Sequence, residues 1–319
     1  MHIPKKHRNS REIMHAQFLD RAMIGTMNKN NSTKYGVLAV VGASFLYGML
    51  PIFMKEVLLE GMPENTLIFY RFLFTAVFAL VLLGVTRTSL KMTKRQFLEL
   101  TLAALIGYGA TAALLTNAYT LIPVGLATMF HFTNPLFVNI AMILLFKEKP
   151  TLFKGISVFC AILGLVFMAD FSSLRPLGVL LATLSGVTYA SYVVANKKCS
   201  FAELDSMVVV FFVGMVNLII FGTVSFFSHA SMAVPSIRAL VMMVILSLFC
   251  TIGALYLLTY GIRTLGASKA SVLNMLEPVV SLIAGMIVYH ETASIKILLG
   301  CLLIVISGIV VVKDDPVEE

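Results

Sequence analysis

Charge is what this sequence has least of. Only 13% of its 319 residues are Asp, Glu, Lys or Arg, while 59% are hydrophobic, and mean hydropathy is +0.93. A soluble chain carries about 25% charged residues. So few charges cannot cover a water-facing surface of this size, which excludes a soluble globular protein and leaves lipid as the solvent. Trp is absent, so an aromatic belt at the membrane surfaces must rely on Tyr and Phe. Cysteine is scarce. Cys160, Cys199, Cys250 and Cys301 lack metal-ligand spacing and three lie inside apolar runs, so free thiols are expected and a disulfide framework is not. The sequence contains no phosphate-binding Gly-rich loop, no metal-ligand spacing and no nucleophile–base motif. ATP-driven transport by this chain is therefore unsupported, and no cofactor, metal or enzymatic activity is expected.

What is present is a succession of long apolar runs. A helix needs roughly 20 apolar residues to cross the hydrocarbon layer. Such runs place spans near 35–57, 64–85, 97–119, 122–146 and 151–169, then near 176–195, 205–228, 238–260, 267–289 and 293–312. Pro123 and Pro176 fall at helix starts, where a missing N–H costs little. Pro51, Pro135 and Pro278 fall inside spans and predict kinks that need local compensation.

The net charge of +8 could suggest nucleic acid, but the cations are sorted by membrane side. With the N-terminus placed in the cytoplasm, nineteen Lys and Arg lie on inner segments: seven in 1–34, four in 86–96, three in 147–154, and Lys197, Lys198, Arg263, Lys269 and Lys313. Outer segments hold four, Lys55, Arg175, Arg238 and Lys296, and Arg71 lies within a span. This asymmetry predicts cytoplasmic termini in the cell membrane and no nucleic-acid partner. Residues 1–34 form a basic tail without a run long enough for a signal peptide. Within it, Ser10–Met23 could form a surface helix with Met14, Phe18 and Ala22 on one face, or stay disordered, and Met27 is an alternative start. Residues 313–319 form a short acidic tail.

The chain also repeats itself. A shift of 142 pairs Gly36 with Gly178, Tyr47 with Tyr189, and Lys55 with Lys197. A shift of 144 pairs Gly109 with Gly253 and Thr120-Leu121 with Thr264-Leu265. At 143, Ala127 pairs with Ala270, Pro135 with Pro278 and Glu148 with Glu291. The strongest block sets PLFVNIAMILLFKE, from Pro135, against PVVSLIAGMIVYHE, from Pro278. Each repeat, 35–169 and 176–312, holds five spans. Five is odd, so the second must enter the membrane from the opposite side. The expected fold is an all-α integral membrane protein of ten transmembrane helices in two inverted five-helix repeats. Inverted repeats are the architecture of secondary transporters, with the substrate near the midplane between halves.

Several of these residues also resemble a known family. A Pro in the fourth helix of each half is followed 13 residues later by a Glu. Arg71 stands in IFYRFLF, and Gly-spaced helices follow, with Gly155 and Gly164, and Gly300 and Gly308. In this the chain is similar to the EamA family of the drug/metabolite transporter superfamily, over roughly residues 35–312. The resemblance implies export of small organic metabolites, amino acids and drugs among them, by alternating access, often with proton exchange. One departure is that Val213 stands where the second half would match Arg71.

Polar groups within the spans are the candidate site. Glu277 lies about ten residues into its span, three after Asn274 and directly before Pro278; at a shift of 143 stand His131 and Asn134, before Pro135. Each pair is spaced i, i+3 and shares a helix face, and inverted symmetry would bring the two faces together. An ionised carboxylate at that depth is costly, which suits a group that takes up and releases a proton. Tyr47 and Tyr189 could wall a cavity for varied small molecules, and Asn117 is read as another buried amide. The amides and His131 could instead satisfy carbonyls freed by the prolines or bond between helices. Arg71 could snorkel outward or bind an anionic group near an outer gate. Glu148 and Glu291, at helix ends, are expected to pair with cations or backbone, and with Pro135 and Pro278 they are gate or structural residues. The expected partners are a small-molecule substrate and the bilayer, with a monomer plausible. The alternatives are an uncoupled channel or facilitator and, less in keeping with these residues, an intramembrane enzyme. The charge sorting predicts that reporter fusions at Lys91 and Lys198 read cytoplasmic and one at Met62 external; Met62 and Lys91 on one side would break the topology.

Overall fold

The structure is a computed structural model that describes residues 29–122, 124–168, 175–228, 231–290 and 294–313. The basic tail to residue 28, Pro123, Glu291 and residues 314–319 lie outside the described residues. Among the described residues there is no strand; the chain is helical throughout. We label the membrane helices α1 (Lys29–Leu59), α2 (Glu64–Val85), α3 (Lys94–Tyr119), α4 (Val124–His131 with Asn134–Phe146) and α5 (Leu152–Met168). The second half comprises α6 (Pro176–Lys198), α7 (Ser206–Phe227), α8 (Ile237–Leu265), α9 (Ala267–Asn274 with Leu276–Tyr289) and α10 (Ile295–Val312). Nine of these have the length and hydropathy of a membrane span, and the tenth, α5, has 17 residues, or about 25 Å at the helical rise. Leu38, Leu144, Phe159, Phe226 and Ile287 are exposed on their outer faces, as residues solvated by lipid should be.

The halves interlock instead of lying side by side. Helix α1 packs on α8 and α9, and α6 packs on α3 and α4; α2 pairs with α7, and α5 with α10. Exchanging the two halves maps each of these contacts onto another of the set or onto itself, as an inverted repeat requires. The α5–α10 pair shows what makes close approach possible. A Cβ on Gly164 would stand 2.6 Å from the Gly300 carbonyl oxygen, and one on Gly300 would stand 2.5 Å from that of Gly164. In lipid, where apolar faces gain little from leaving their solvent, such small-residue contacts let backbones pack and hold helices together.

At two of the three prolines the expected kink is a full interruption. Helix α1 runs through Pro51. Pro135 and Pro278 instead follow true interruptions, at Phe132–Thr133 in α4 and at Met275 in α9, and each sits in the first turn of the helix that resumes. There the absent N–H would have had no helical partner in any case. Freed carbonyls find local donors: Thr133 Oγ1 bonds the Phe130 oxygen at 2.6 Å and Asn134 Nδ2 the His131 oxygen at 3.2 Å. A second symmetric pair of irregularities, without a sequence-level warning, is π-helical: Ala103–Gly109 in α3 and Leu246–Gly253 in α8. Helix α8 also runs five residues past its expected end. Gly261 continues it because a Cβ there would collide with Val40 of α1, and the helix stops at Gly266, where φ is 92°. Arg263 remains helical because its guanidinium is held by the Leu204 and Phe201 carbonyls of the α6–α7 link.

The glycine contact gives a measurable expectation. Gly300→Ala should lower unfolding stability by about 1–3 kcal/mol through overpacking. Gly155→Ala, where a Cβ meets nothing within 4 Å, should be neutral or slightly stabilising. Thermal unfolding in detergent tests this, and equal shifts for both variants would contradict the backbone contact.

Candidate functional site

The two helix interruptions each carry a polar pair, and each pair is backed by a helix from the other half. On α9, Asn274 Oδ1 lies 3.3 Å from Ser44 Oγ of α1, whose hydroxyl also reaches the Val40 carbonyl at 2.9 Å, and Asn274 donates through Nδ2 to Glu277 Oε2 at 3.4 Å. On α4, His131 Nδ1 lies 3.0 Å from Ser185 Oγ of α6. The Ser185 hydroxyl already donates to the Ala182 carbonyl at 2.6 Å. It has one hydrogen, so the imidazole Nδ1–H is the donor in this contact. Glycines set these approaches: a Cβ on Gly48 would stand 2.9 Å from the Glu277 carbonyl oxygen, and one on Gly186 2.8 Å from that of His131.

A series of aromatic rings leads from His131 toward Arg71. His131 lies 5.4 Å from the Tyr189 ring, Tyr189 6.3 Å from Tyr192, Tyr192 5.5 Å from Tyr108, and Tyr108 6.1 Å from Phe72, measured between centroids. At the far end Arg71 donates through Nε to Thr251 Oγ1 at 2.8 Å, and its Nη2 is 3.5 Å from Tyr108 OH. Glu277 lies within electrostatic range of Arg71, Tyr47, Tyr119 and Tyr189. Tyr47 is 6% exposed, and its hydroxyl is buried without a hydrogen-bond partner.

Most of the residues expected from sequence therefore gather at mid-depth. Among the described residues the two pairs do not hydrogen-bond to each other; Tyr189 packs against His131. Asn134 serves the backbone of its own interrupted helix, which favours the compensating role weighed for it. Asn117 is a correction: it is exposed, and its amide bonds the Ala113 carbonyl one turn back in α3. An amide inside an apolar run was read as buried, but its helical phase turns it away from the polar core. Arg71 is turned into the bundle beside buried Phe72 and Thr75, and it does not snorkel outward. Glu148 lies past the end of α4, where it pairs with Lys154 and accepts from Ser268 Oγ at 3.3 Å. Sequence reasoning missed Ser44, Tyr108, Ser185, Tyr192 and Thr251. Each stood within a turn of a repeat-matched residue: Ser44 of Tyr47, Tyr108 of Gly109, Ser185 and Tyr192 of Tyr189, and Thr251 of Gly253.

Both ends of the bundle are tied. At one, Arg238 of α8 bridges Glu56 at 2.5 Å and Glu60 at 3.4 Å, and Tyr289 OH donates to Glu56 at 3.0 Å. At the other, Glu99 pairs with Arg95 and accepts from Ser200, while Lys197 donates to the Arg263 carbonyl. Grooves of about 520 and 330 Å³ lie along α6, one lined by Val179 and Leu180 and one by Val194 and Phe137, and not among the central polar side chains.

Interlocked inverted halves, interrupted helices at mid-depth and a polar core between tied ends define a multi-pass membrane transporter. The EamA-like transporter family matches residues 34–169 and 176–313, so the chain belongs to that family, within the drug/metabolite transporter superfamily, and is a transporter and not an enzyme. Among curated proteins, it is similar to the uncharacterized transporter YoaV of Bacillus subtilis, 25% identical over 84% of this chain and 93% of that one. An uncharacterized transporter of Helicobacter pylori is 24% identical over 91% and 98%. One from Haemophilus influenzae is 30% identical, over 47% of this chain and only about half, 52%, of that relative. A solved crystal structure covering 86% of this chain and 95% of its own superposes with a TM-score of 0.72 at 18% identity, which shows the shared fold.

The orphan hydroxyl separates packing from function. A buried unsatisfied hydroxyl costs about 1–3 kcal/mol, so Tyr47→Phe should hold or raise the unfolding temperature. If the hydroxyl meets substrate, the same variant should weaken transport. Unchanged transport by Tyr47→Phe would make Tyr47 a packing residue.

Proposed function

We propose that this chain is a proton-coupled secondary transporter that exports small organic metabolites across the cytoplasmic membrane by alternating access, with both termini in the cytoplasm. Its two repeats are taken as 35–169 and 176–312. The observation that carries the reading is Glu277: a carboxyl at an interrupted helix, held by Asn274 and in range of Arg71, Tyr47, Tyr119 and Tyr189. A carboxyl inside a membrane bundle marks an ion or proton path by default. A helix interruption at that depth is tolerated where it faces protein or a water-filled cavity. In this reading Tyr47 and Tyr189 wall the substrate chamber, and His131, Asn134 and Asn274 line it. Glu277 takes a proton from one side and releases it to the other as the chamber alternates. Pro135 and Pro278 keep the two interruptions in place, and Glu148 helps to close the cytoplasmic end.

Glu277→Gln keeps the size and hydrogen bonding of the side chain but fixes it neutral. In everted vesicles carrying a radiolabelled metabolite found by screening, this variant should lose accumulation driven by an imposed pH gradient and retain substrate–substrate exchange. A Glu277→Gln protein that answers the gradient as the wild type does would make Glu277 structural.

A further inference from the structure

A groove between α4 and α6 is apolar along its length and ends in cations. It holds about 330 Å³, with Phe137, Ala141 and Leu145 of α4 on one wall and Val187, Val194 and Ala195 of α6 on the other. From Val187 to Lys198 it follows α6 for about 17 Å at the helical rise. That is close to the depth of one leaflet, half of a hydrocarbon core of about 30 Å. Leu145 is 72% exposed and Ser191 is exposed, so the groove opens outward. At its end the Lys198 ammonium stands 5.0 Å from the centre of the Phe146 ring, and Lys147 follows Phe146 in a left-handed cap. Both lysines are exposed, and among the described residues neither forms an ion pair. The carboxylates of the neighbouring links are engaged elsewhere, Glu148 by Lys154 and Ser268, and Glu99 by Arg95 and Ser200.

The other half builds the equivalent helix pair differently. Helix α1 is the counterpart of α6, and α9 that of α4. A Cβ on Gly48 of α1 would stand 2.6 Å from Val280 Cβ of α9, so those helices meet closely. The matched residues, Ala190 and Phe137, both line the groove. Ala190 carries the Cβ for which Gly48 has no room, and Ala195 stands where α1 has Phe53. The charges differ as well. Glu56 is the counterpart of Lys198 and His290 that of Lys147, and Glu56 is held by Arg238 and Tyr289.

We infer that the groove binds an anionic phospholipid of the cytoplasmic leaflet, with an acyl chain between α4 and α6 and the phosphate between Lys147 and Lys198. The chemistry fits at both ends. Phe137, Ala141 and Val194 offer the chain an apolar bed, and lysine stems lie along apolar surface while their ammonium groups reach headgroup level. Cations at that level attract acidic lipids, and they repel the ammonium of a choline or ethanolamine headgroup. Seated there, the lipid fills the seam between the helices that carry His131 and Ser185. Apart from the leaflet, which follows the orientation proposed above, the site is independent of what the chain carries and of proton coupling.

The chain has no Trp, so one introduced at the groove reports on its own surroundings. The full chain carrying Leu145→Trp is reconstituted in phosphatidylcholine vesicles. It is titrated with phosphatidylglycerol or with phosphatidylcholine whose brominated chains quench on contact. The acidic lipid should bind at this position roughly tenfold more tightly than the zwitterionic one. The control is Val81→Trp, exposed on α2. It lies toward the same membrane face, because α2 leads into α3, whose Glu99 meets Ser200 at the end of α6. There the two lipids should quench alike. Lys147→Gln with Lys198→Gln should erase the preference at Leu145→Trp, and Lys147→Arg with Lys198→Arg should keep it. Equal binding of the two lipids at Leu145→Trp, an equal preference at Val81→Trp, or a preference untouched by the paired Gln variants would each overturn the inference. Quenching by neither lipid would place a second copy of the chain in the groove and overturn it too. The first, second and last outcomes need no lysine variant to fold.

Discussion

In hydrocarbon, a backbone carbonyl that leaves its helix must find another donor, because no water is available to take it. The interruptions at Phe132–Thr133 and Met275 are therefore possible only inside the bundle, and their surroundings supply what lipid cannot. Thr133 and Asn134 bond the Phe130 and His131 carbonyls, and the Met275 N–H bonds the Val272 carbonyl. Helices α1 and α6 come close enough through Gly48 and Gly186 to shield the opened backbone. The gathering of polar side chains at mid-depth follows from this constraint. Where two helices must open, neighbouring hydroxyls and amides are needed, and the same groups are then available to a solute.

The inverted repeat repeats geometry more faithfully than chemistry. The π-helical turns, the interrupted helices and the left-handed caps at Lys147 and His290, with φ of 55° and 54°, recur in both halves. The residues at matched positions do not. Glu277 is the counterpart of Asn134, Asn274 of His131, and Arg71 of Val213. A strictly symmetric core would present the same groups to both sides of the membrane. This one places a guanidinium on the first half and a carboxyl on the second, in range of each other but unpaired, so that the centre carries a direction.

The sequence made the fold legible because the hydrophobic runs, the sorting of Lys and Arg and the nearly constant repeat shift are each long-range averages. Single residues blur none of them, and α2 and α9 keep the limits read from composition. Features set by one contact were not legible. The continuation of α8 through Gly261, past the span end near 260, shows only when that glycine is set against Val40, and the π-helical turns depend on an extra residue per turn that leaves the apolar pattern intact. For the polar core, charge and amide content pointed to Glu277, Asn274, His131 and Asn134, since such groups are expensive in a span. Hydroxyls carry no comparable signal: Ser44, Ser185 and Thr251 are common residues whose importance lies in what stands opposite them. Asn117 failed for the reverse reason, because composition says nothing about which way one position of a helix faces.

The strengths of the contacts differ from one helix pair to another. Near one end of their pair, α5 and α10 meet backbone to backbone at Gly164 and Gly300, a contact that can separate only by opening a void in a close-packed interior. At the ends, Arg238 is 61% exposed where it meets Glu56 and Glu60, and Arg95 is 79% exposed against Glu99. Ion pairs that accessible contribute about 0–1 kcal/mol each, because water competes for both partners. The backbone contact thus belongs to helices that pair with their own symmetry mates, and the exposed ion pairs to the ends of α1 and α8, which pack across the halves, and to α3, where Arg95 and Glu99 stand one turn apart. A molecule built this way yields first at those exposed ion pairs and last along α5 and α10.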